Sequence, residues 1–268
     1  MKVLHTSLVK CLLLVMFMII ADVGTCHPSS TPVVGDPTAQ VLNAFKTNDL
    51  VFLGTRHRQL PILNFISNLL PRLPAAGVRY VGLEIASDQQ SKIDSFMKTG
   101  VGLDRVRLSP IIDCPEYRNL LTIIREHGLQ PVALDLPKSM WKNDWTRDHW
   151  MANRVVTSLD HNIGAKMLTV VGNHHVLKAV EWEDPENNKQ FIPACVRRLR
   201  PAVKMYSIAE CIGDSPTECG FRAEYGARGD LPQAVETLSL ENLELGFIRT
   251  MAIKPMTAEQ AVDAVIIH

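Results

Sequence analysis

Two short stretches constrain this chain more than any other feature: Leu50-Val-Phe-Leu-Gly-Thr-Arg-His57 and Met167-Leu-Thr-Val-Val-Gly-Asn-His-His175. Each is an apolar run closed by glycine, with a histidine three residues after the glycine. Runs of about four to eight residues rich in Val, Leu and Phe describe strands covered on both faces. The helix-like residues after each histidine add a strand-turn-helix passage. In an open α/β sheet that passage puts both imidazoles at the carboxyl edge, where ligands bind.

The rest of the chain repeats the alternation. Apolar spacing predicts helices over 38–46, 60–73, 88–98 (with Ser87 as N-cap), 115–127, 144–159 and 176–182. Strands are predicted over 50–53, 78–85, 130–136, 167–171 and 202–209, and over 247–253. Alternation of this kind specifies an α/β fold, a mostly parallel central sheet with helices on both faces, in one domain spanning 38–268. Residues 27–37, rich in proline and small polar residues, read as an extended lead-in.

The amino terminus carries a targeting pattern. Lys2 and Lys10 supply a positive region ahead of an apolar core from Cys11 to Ala21, and Gly24-Thr-Cys26 supplies small residues. Residues 1–26 therefore read as a secretory signal peptide, since Asp22 ends the apolar run well short of the roughly 20 residues a span needs. Retention as an anchor and lipidation at Cys26 are the alternatives. Export makes the remaining cysteines candidates for disulfides: Cys211 and Cys219 bracket a turn-rich segment, while Cys114 and Cys195 either pair or stay free.

Charge narrows the partners. With 28 basic and 28 acidic residues, and no basic stripe, the chain lacks what a nucleic-acid partner requires. It also lacks His-Glu-x-x-His, Gly-x-Ser-x-Gly and the phosphate-binding Gly-x-x-x-x-Gly-Lys, so zincin, serine-hydrolase and P-loop mechanisms have no residues here.

What remains is a cluster at strand ends. His57, Glu84, Asp135 and His175 all close predicted strands, and Arg147 arrives from a helix entering the same region. His57, Glu84 and His175 form a ligand set for a divalent metal that would acidify a bound water. Without a metal, the same histidine and glutamate serve as base and acid, with Arg147 binding a substrate carboxylate or an oxyanion. Each residue also has a structural reading: turn or cap histidines, a capping glutamate, an Arg147–Asp148 salt bridge. His174 is expected to face solvent. His127 and His161 suit helix ends, and Trp141, Trp145 and Trp150 a packed face.

Taken together, Gly54-Thr-Arg-His57, Leu83-Glu84, Arg147-Asp148 and Gly172-Asn-His-His175 resemble the pattern of the superfamily that groups ChaN-like haem-binding lipoproteins, Tiki/TraB proteins and erythromycin-esterase-like enzymes. Arg147-Asp-His-Trp-Met-Ala152 is similar to the Arg-Asp-x-x-Met-Ala of ChaN-like proteins, as is Pro131-Val-Ala-Leu-Asp-Leu-Pro137 to their third-strand segment. The resemblance spans residues 48–210. Thr55 stands where ChaN-like and esterase-like members usually carry glutamate; Gly-Thr-x-His is the Tiki/TraB form. The resemblance implies an α/β core and two functions. Tiki-like members are metal-dependent proteases, and ChaN-like members bind haem for iron uptake.

The resulting expectation is an exported metal-dependent hydrolase, peptidase- or esterase-like. His57, Glu84, Arg147 and His175 would be its catalytic residues, with a divalent ion on His57, Glu84 and His175. The alternative is a haem-binding protein of iron uptake. Its partners would be a small-molecule or peptide substrate, or haem, with membrane contact only through a lipid anchor at Cys26.

Overall fold

The computed structural model describes residues 34–141, 146–212, 232–236 and 252–268, all within one compact unit. The expected signal peptide, Cys26, Cys219 and Trp145 lie outside these residues, as does most of the strand expected over 247–253.

In chain order the elements are β1 (Val34–Gly35), α1 (Pro37–Thr47), β2 (Leu50–Thr55), α2 (Leu60–Leu69), β3 (Val78–Ala86), α3 (Gln90–Thr99), α4 (Pro115–Glu126), β4 (Gln130–Asp135), α5 (Arg147–Asp160), β5 (Lys166–Gly172), α6 (Ile192–Leu199), β6 (Met205–Cys211), β7 (Gln233–Glu236), α7 (Ala258–Ala261) and β8 (Ala264–Ile267). Among the described residues they build one eight-stranded sheet in the order β1-β7-β8-β6-β2-β5-β3-β4. The pairs from β8 to β4 are parallel, and only the β1–β7 and β7–β8 pairs are antiparallel. The sheet is thus mostly parallel and covered on both sides, the α/β architecture that the alternation predicted.

The central strands are buried along their whole length because helices cover both faces. All six residues of β2 are buried. Val51 and Leu53 face a core built with α1, α2, α3 and α4, whereas Leu50 and Phe52 face the opposite core under α5, α6 and α7. Burying a side chain of this size contributes about 1.5–3 kcal/mol, so polar residues at these positions need a reason to be there.

Four local expectations change. Ser87 opens a short 3-10 turn, Ser87–Gln89, instead of capping α3; its hydroxyl accepts from the Trp150 indole at 3.2 Å. The helix predicted over 176–182 does not form: a 3-10 turn covers Asn173–Val176, and Leu177 is extended. Lys178 N–H bonds to Ala261 O (2.8 Å) and Trp182 bridges Ile253, so pairing with the carboxyl-terminal segment replaces helical bonds. Cys114 packs on the α2/α4 side of the sheet and Cys195 on the α5/α6 side, which rules out their pairing. Trp141 does not join the expected packed tryptophan face: it is 61% exposed.

Candidate functional site

The carboxyl ends of β2, β3, β4 and β5 converge as expected, and Glu84 is their hub. Pairing of β3 with β5 stops at Leu83–Val170, and β3 slips register against β4 across the next two residues. At that irregularity the Glu84 side chain takes over from the backbone: its Oε2 accepts the Gly172 N–H at 2.8 Å. Its Oε1 accepts from Arg147 Nη2 at 2.7 Å. Only 3% of the side chain is exposed.

One histidine flanks each carboxylate oxygen. His57 Nε2 lies 3.9 Å from Oε2, and His175 Nε2 lies 4.0 Å from Oε1. The two differ in access. His57 is 26% exposed, whereas His175 is 4% exposed and its Nε2 has no hydrogen-bond partner among the described residues. Burial pushes the Glu84 carboxyl upward, but the charges of His175, His57 and Arg147 and the Gly172 bond outweigh it, holding its pKa below the ordinary value. Glu84 is a carboxylate.

The two glycines of the repeated pattern explain each other. A Cβ on Gly172 would sit 3.2 Å from His57 Nε2, and a Cβ on Gly54 would sit 2.3 Å from Asn173 Oδ1. Each glycine therefore clears space for a side chain of the other turn. Asn173 uses that space to lock the second turn to β6, donating to Glu210 O at 2.7 Å and accepting Glu210 N–H at 3.0 Å. His57 sits on a tight turn whose next residue, Arg58, has φ of 60°. Such left-handed geometry costs a non-glycine residue roughly 1–2 kcal/mol, the kind of local strain found at functional sites.

Arg147 and Asp148 open α5, capped by Thr146. They do not pair with each other, since adjacent residues on a helix point apart. Arg147 grips Asp135 through Nε (2.8 Å) and Nη2 (2.9 Å) while reaching Glu84. Burial opposes its charge, and the two carboxylates overcome that and raise its pKa. Asp148 instead holds His175 Nδ1 at 2.7 Å, assisted by its place in the first turn of the helix. Sequence reasoning assigned Asp148 only to Arg147, and Asn173 to nothing; the Arg-Asp pair at a helix start was the available signal. His174 is half-buried, not fully solvent-facing as expected. Its ring lies against that of His175, centroids 4.0 Å apart and planes tilted by 45°, and meets Phe191 edge-on at 5.9 Å; burial then the His175 charge lower its pKa to about 4. Thr55 is buried with its hydroxyl donating to Val171 O at 3.3 Å.

His57, Glu84, Arg147 and His175 therefore share one place, with Asp135 and Asp148. The residues do not fit the expected divalent ion. No group of three or more His, Cys, Asp or Glu among the described residues has the arrangement of a metal site. Both Glu84 oxygens are committed to donors, and a permanent cation, Arg147, already sits 2.7 Å from one of them.

The sequence matches no family model and no curated protein. Solved structures share the fold. An erythromycin esterase variant, EreC, in its open conformation is 12% identical, with a TM-score of 0.63, covering 85% of this chain and 91% of its own. A Bacillus cereus protein is 11% identical with a TM-score of 0.58, over 85% and 90%. The haem-binding ChaN of Campylobacter jejuni is 12% identical with a TM-score of 0.52, again over 85% and 90%. The chain thus shares its fold with these solved structures.

Proposed function

We propose that this chain is an exported hydrolase that cleaves an ester or amide bond of a small-molecule or peptide substrate with water activated at His57, without a divalent metal. The observation that carries the reading is one ionised, buried carboxylate flanked by two histidines, of which only His57 reaches solvent. A water about 2.8 Å from both His57 Nε2 and Glu84 Oε2 fits their 3.9 Å separation. His57 Nε2 takes its proton, the water oxygen attacks the carbonyl carbon, and the proton passes to the leaving oxygen or nitrogen as that bond breaks. Glu84, a weak base in this field, stabilises the transient imidazolium. Arg147, with Nε and Nη2 tied to carboxylates, has Nη1 for the developing oxyanion. His175, braced by Asp148, supports the Glu84 charge from its closed side. The fold shared with an esterase supports this class.

Hydrolysis of p-nitrophenyl acetate and of a peptide anilide, with and without EDTA, tests the proposal. Activity should survive EDTA and fall about 10²–10⁴-fold in His57→Gln. Activity that EDTA abolishes and added zinc restores would overturn it, as would an unaffected His57→Gln enzyme. A second reading, haem binding, draws on the fold shared with ChaN and on His57 as a solvent-reaching nitrogen. A Soret shift on hemin titration that His57→Gln removes would favour it. Export rests on the amino-terminal pattern, and amino-terminal sequencing of secreted protein tests it.

A further inference from the structure

Glu210 lies near the end of β6, outside the Glu84 cluster, and is buried as deeply. Neither of its carboxylate oxygens has a hydrogen-bond partner among the described residues; His268 Nε2 lies 3.5 Å from Oε1, long for such a bond. Its backbone is clamped by Asn173, so the carboxylate projects from a rigid strand end. A buried carboxylate whose nearest donor, His268 Nε2, stands 3.5 Å away is expensive, and an apolar side chain would serve the core better. Burial pushes the Glu210 carboxyl up to about 7, restrained by His268. Such a residue is a candidate for function.

His268, which follows β8, leads from Glu210 to open space. Its side chain is 3% exposed and meets Phe65 edge-on, with ring centroids 5.8 Å apart. Both residues line a cavity of about 1130 Å³, together with Asn64, Asn68 and Gln233. Asp36 and Arg72 on the same walls offset each other in charge.

We propose that this cavity is a second ligand site for an uncharged polyhydroxylated molecule of the sugar or polyol class, with His268 as a hydrogen-bonding contact and Glu210 behind it directing the imidazole. Carboxamides both donate and accept, as hydroxyl groups do, so Asn64, Asn68 and Gln233 match such a ligand on any face. Phe65 adds apolar surface for ring carbons. Balanced wall charges select against an ionic ligand. With Nε2 turned to Glu210, Nδ1 is the imidazole nitrogen left for a ligand hydroxyl, and a carboxylate partner fixes which nitrogen carries the proton. The assignment does not depend on hydrolysis at His57.

Isothermal titration of the full chain with D-glucose, maltose and sorbitol tests the site. At least one should bind saturably, and His268→Phe and Glu210→Leu should weaken it about tenfold or more. The double variant His268→Phe/Glu210→Leu, which replaces the buried polar pair by apolar residues of similar size, should lose binding while its melting temperature stays unchanged or rises, which separates lost binding from lost fold. Asn68→Leu, on the exposed side of α2, is the variant to use if either fails to fold, and it too should weaken binding. His57→Gln should bind as wild type. Absence of binding by all three probes, binding that survives both His268→Phe and Asn68→Leu, or binding lost in His57→Gln would each overturn the proposal.

Discussion

Replacing Glu84 by glutamine keeps the shape of the hub and removes its charge, which makes its effect calculable. The wild-type carboxylate accepts from two donors at once, Arg147 Nη2 at 2.7 Å and Gly172 N–H at 2.8 Å. A carboxamide has one oxygen and one amino group, so either orientation sets its NH₂ against one of those donors. One charge-assisted bond is therefore lost, worth about 1.5–3 kcal/mol. Arg147 does not become an orphan, because Asp135 still holds it at 2.8 and 2.9 Å, and its 36% exposure softens the loss further. The expected destabilisation at pH 7 is about 2 kcal/mol, or roughly 4–8 °C in melting temperature for a chain of this size. Its pH dependence follows from linkage. The folded carboxyl titrates below its ordinary value of 4.5, so the charge contributes stability that is present above that pH and lost as pH falls through the lower folded value. Urea denaturation of both proteins at pH 7 and at successively lower pH should show the gap between them closing only below about 4.5. A gap that is the same at every pH, or a more stable glutamine variant, would refute the account of Glu84 as an ionised hub.

Other consequences are as direct. His174 has a folded pKa of about 4 against an ordinary 6.5, so the unfolded chain binds its proton first and stability falls as pH drops between those values; His174→Phe should flatten that part of a stability–pH curve. Gly54→Ala places a Cβ 2.3 Å from Asn173 Oδ1 and 3.1 Å from Asn173 Cα, and should cost about 1–3 kcal/mol by chemical denaturation while lowering hydrolysis through the displaced His175 turn. Arg147→Lys keeps the charge but loses the two-point grip on Asp135, and should reduce hydrolysis with little recovery at high substrate. Asp148→Ala removes the partner of a 4% exposed imidazole and should destabilise the fold by about 1–3 kcal/mol.

The site was legible in the sequence to the extent that it is built from strand ends. His57, Glu84, Asp135 and His175 each follow an apolar run, and parallel strands place such positions along one edge. Their partners were not legible. Arg147 and Asp148 are neighbours in sequence yet serve different groups, since a helix turns adjacent side chains apart and the partners come from β3, β4 and the turn after β5. The surroundings of the carboxylate were hidden for a related reason: a ligand set can be counted in a sequence, but the Arg147 cation at Glu84 comes from packing.

By itself, the amino-acid order determined the local pieces: buried parallel strands from continuous Val/Leu/Phe runs, turns from glycine, and histidines three residues beyond. These depend on side-chain periodicity and backbone freedom, which act over a few residues. Tertiary structure alone decided that Lys178 and Trp182 pair with the carboxyl-terminal segment instead of forming a helix, and that the four-residue β7 and β8 extend the sheet. It also decided that each motif glycine serves the opposite turn, and that Glu210 lies beneath His268. Those outcomes depend on contacts between residues far apart in the chain, whose partners appear only once the sheet has brought their strand ends together.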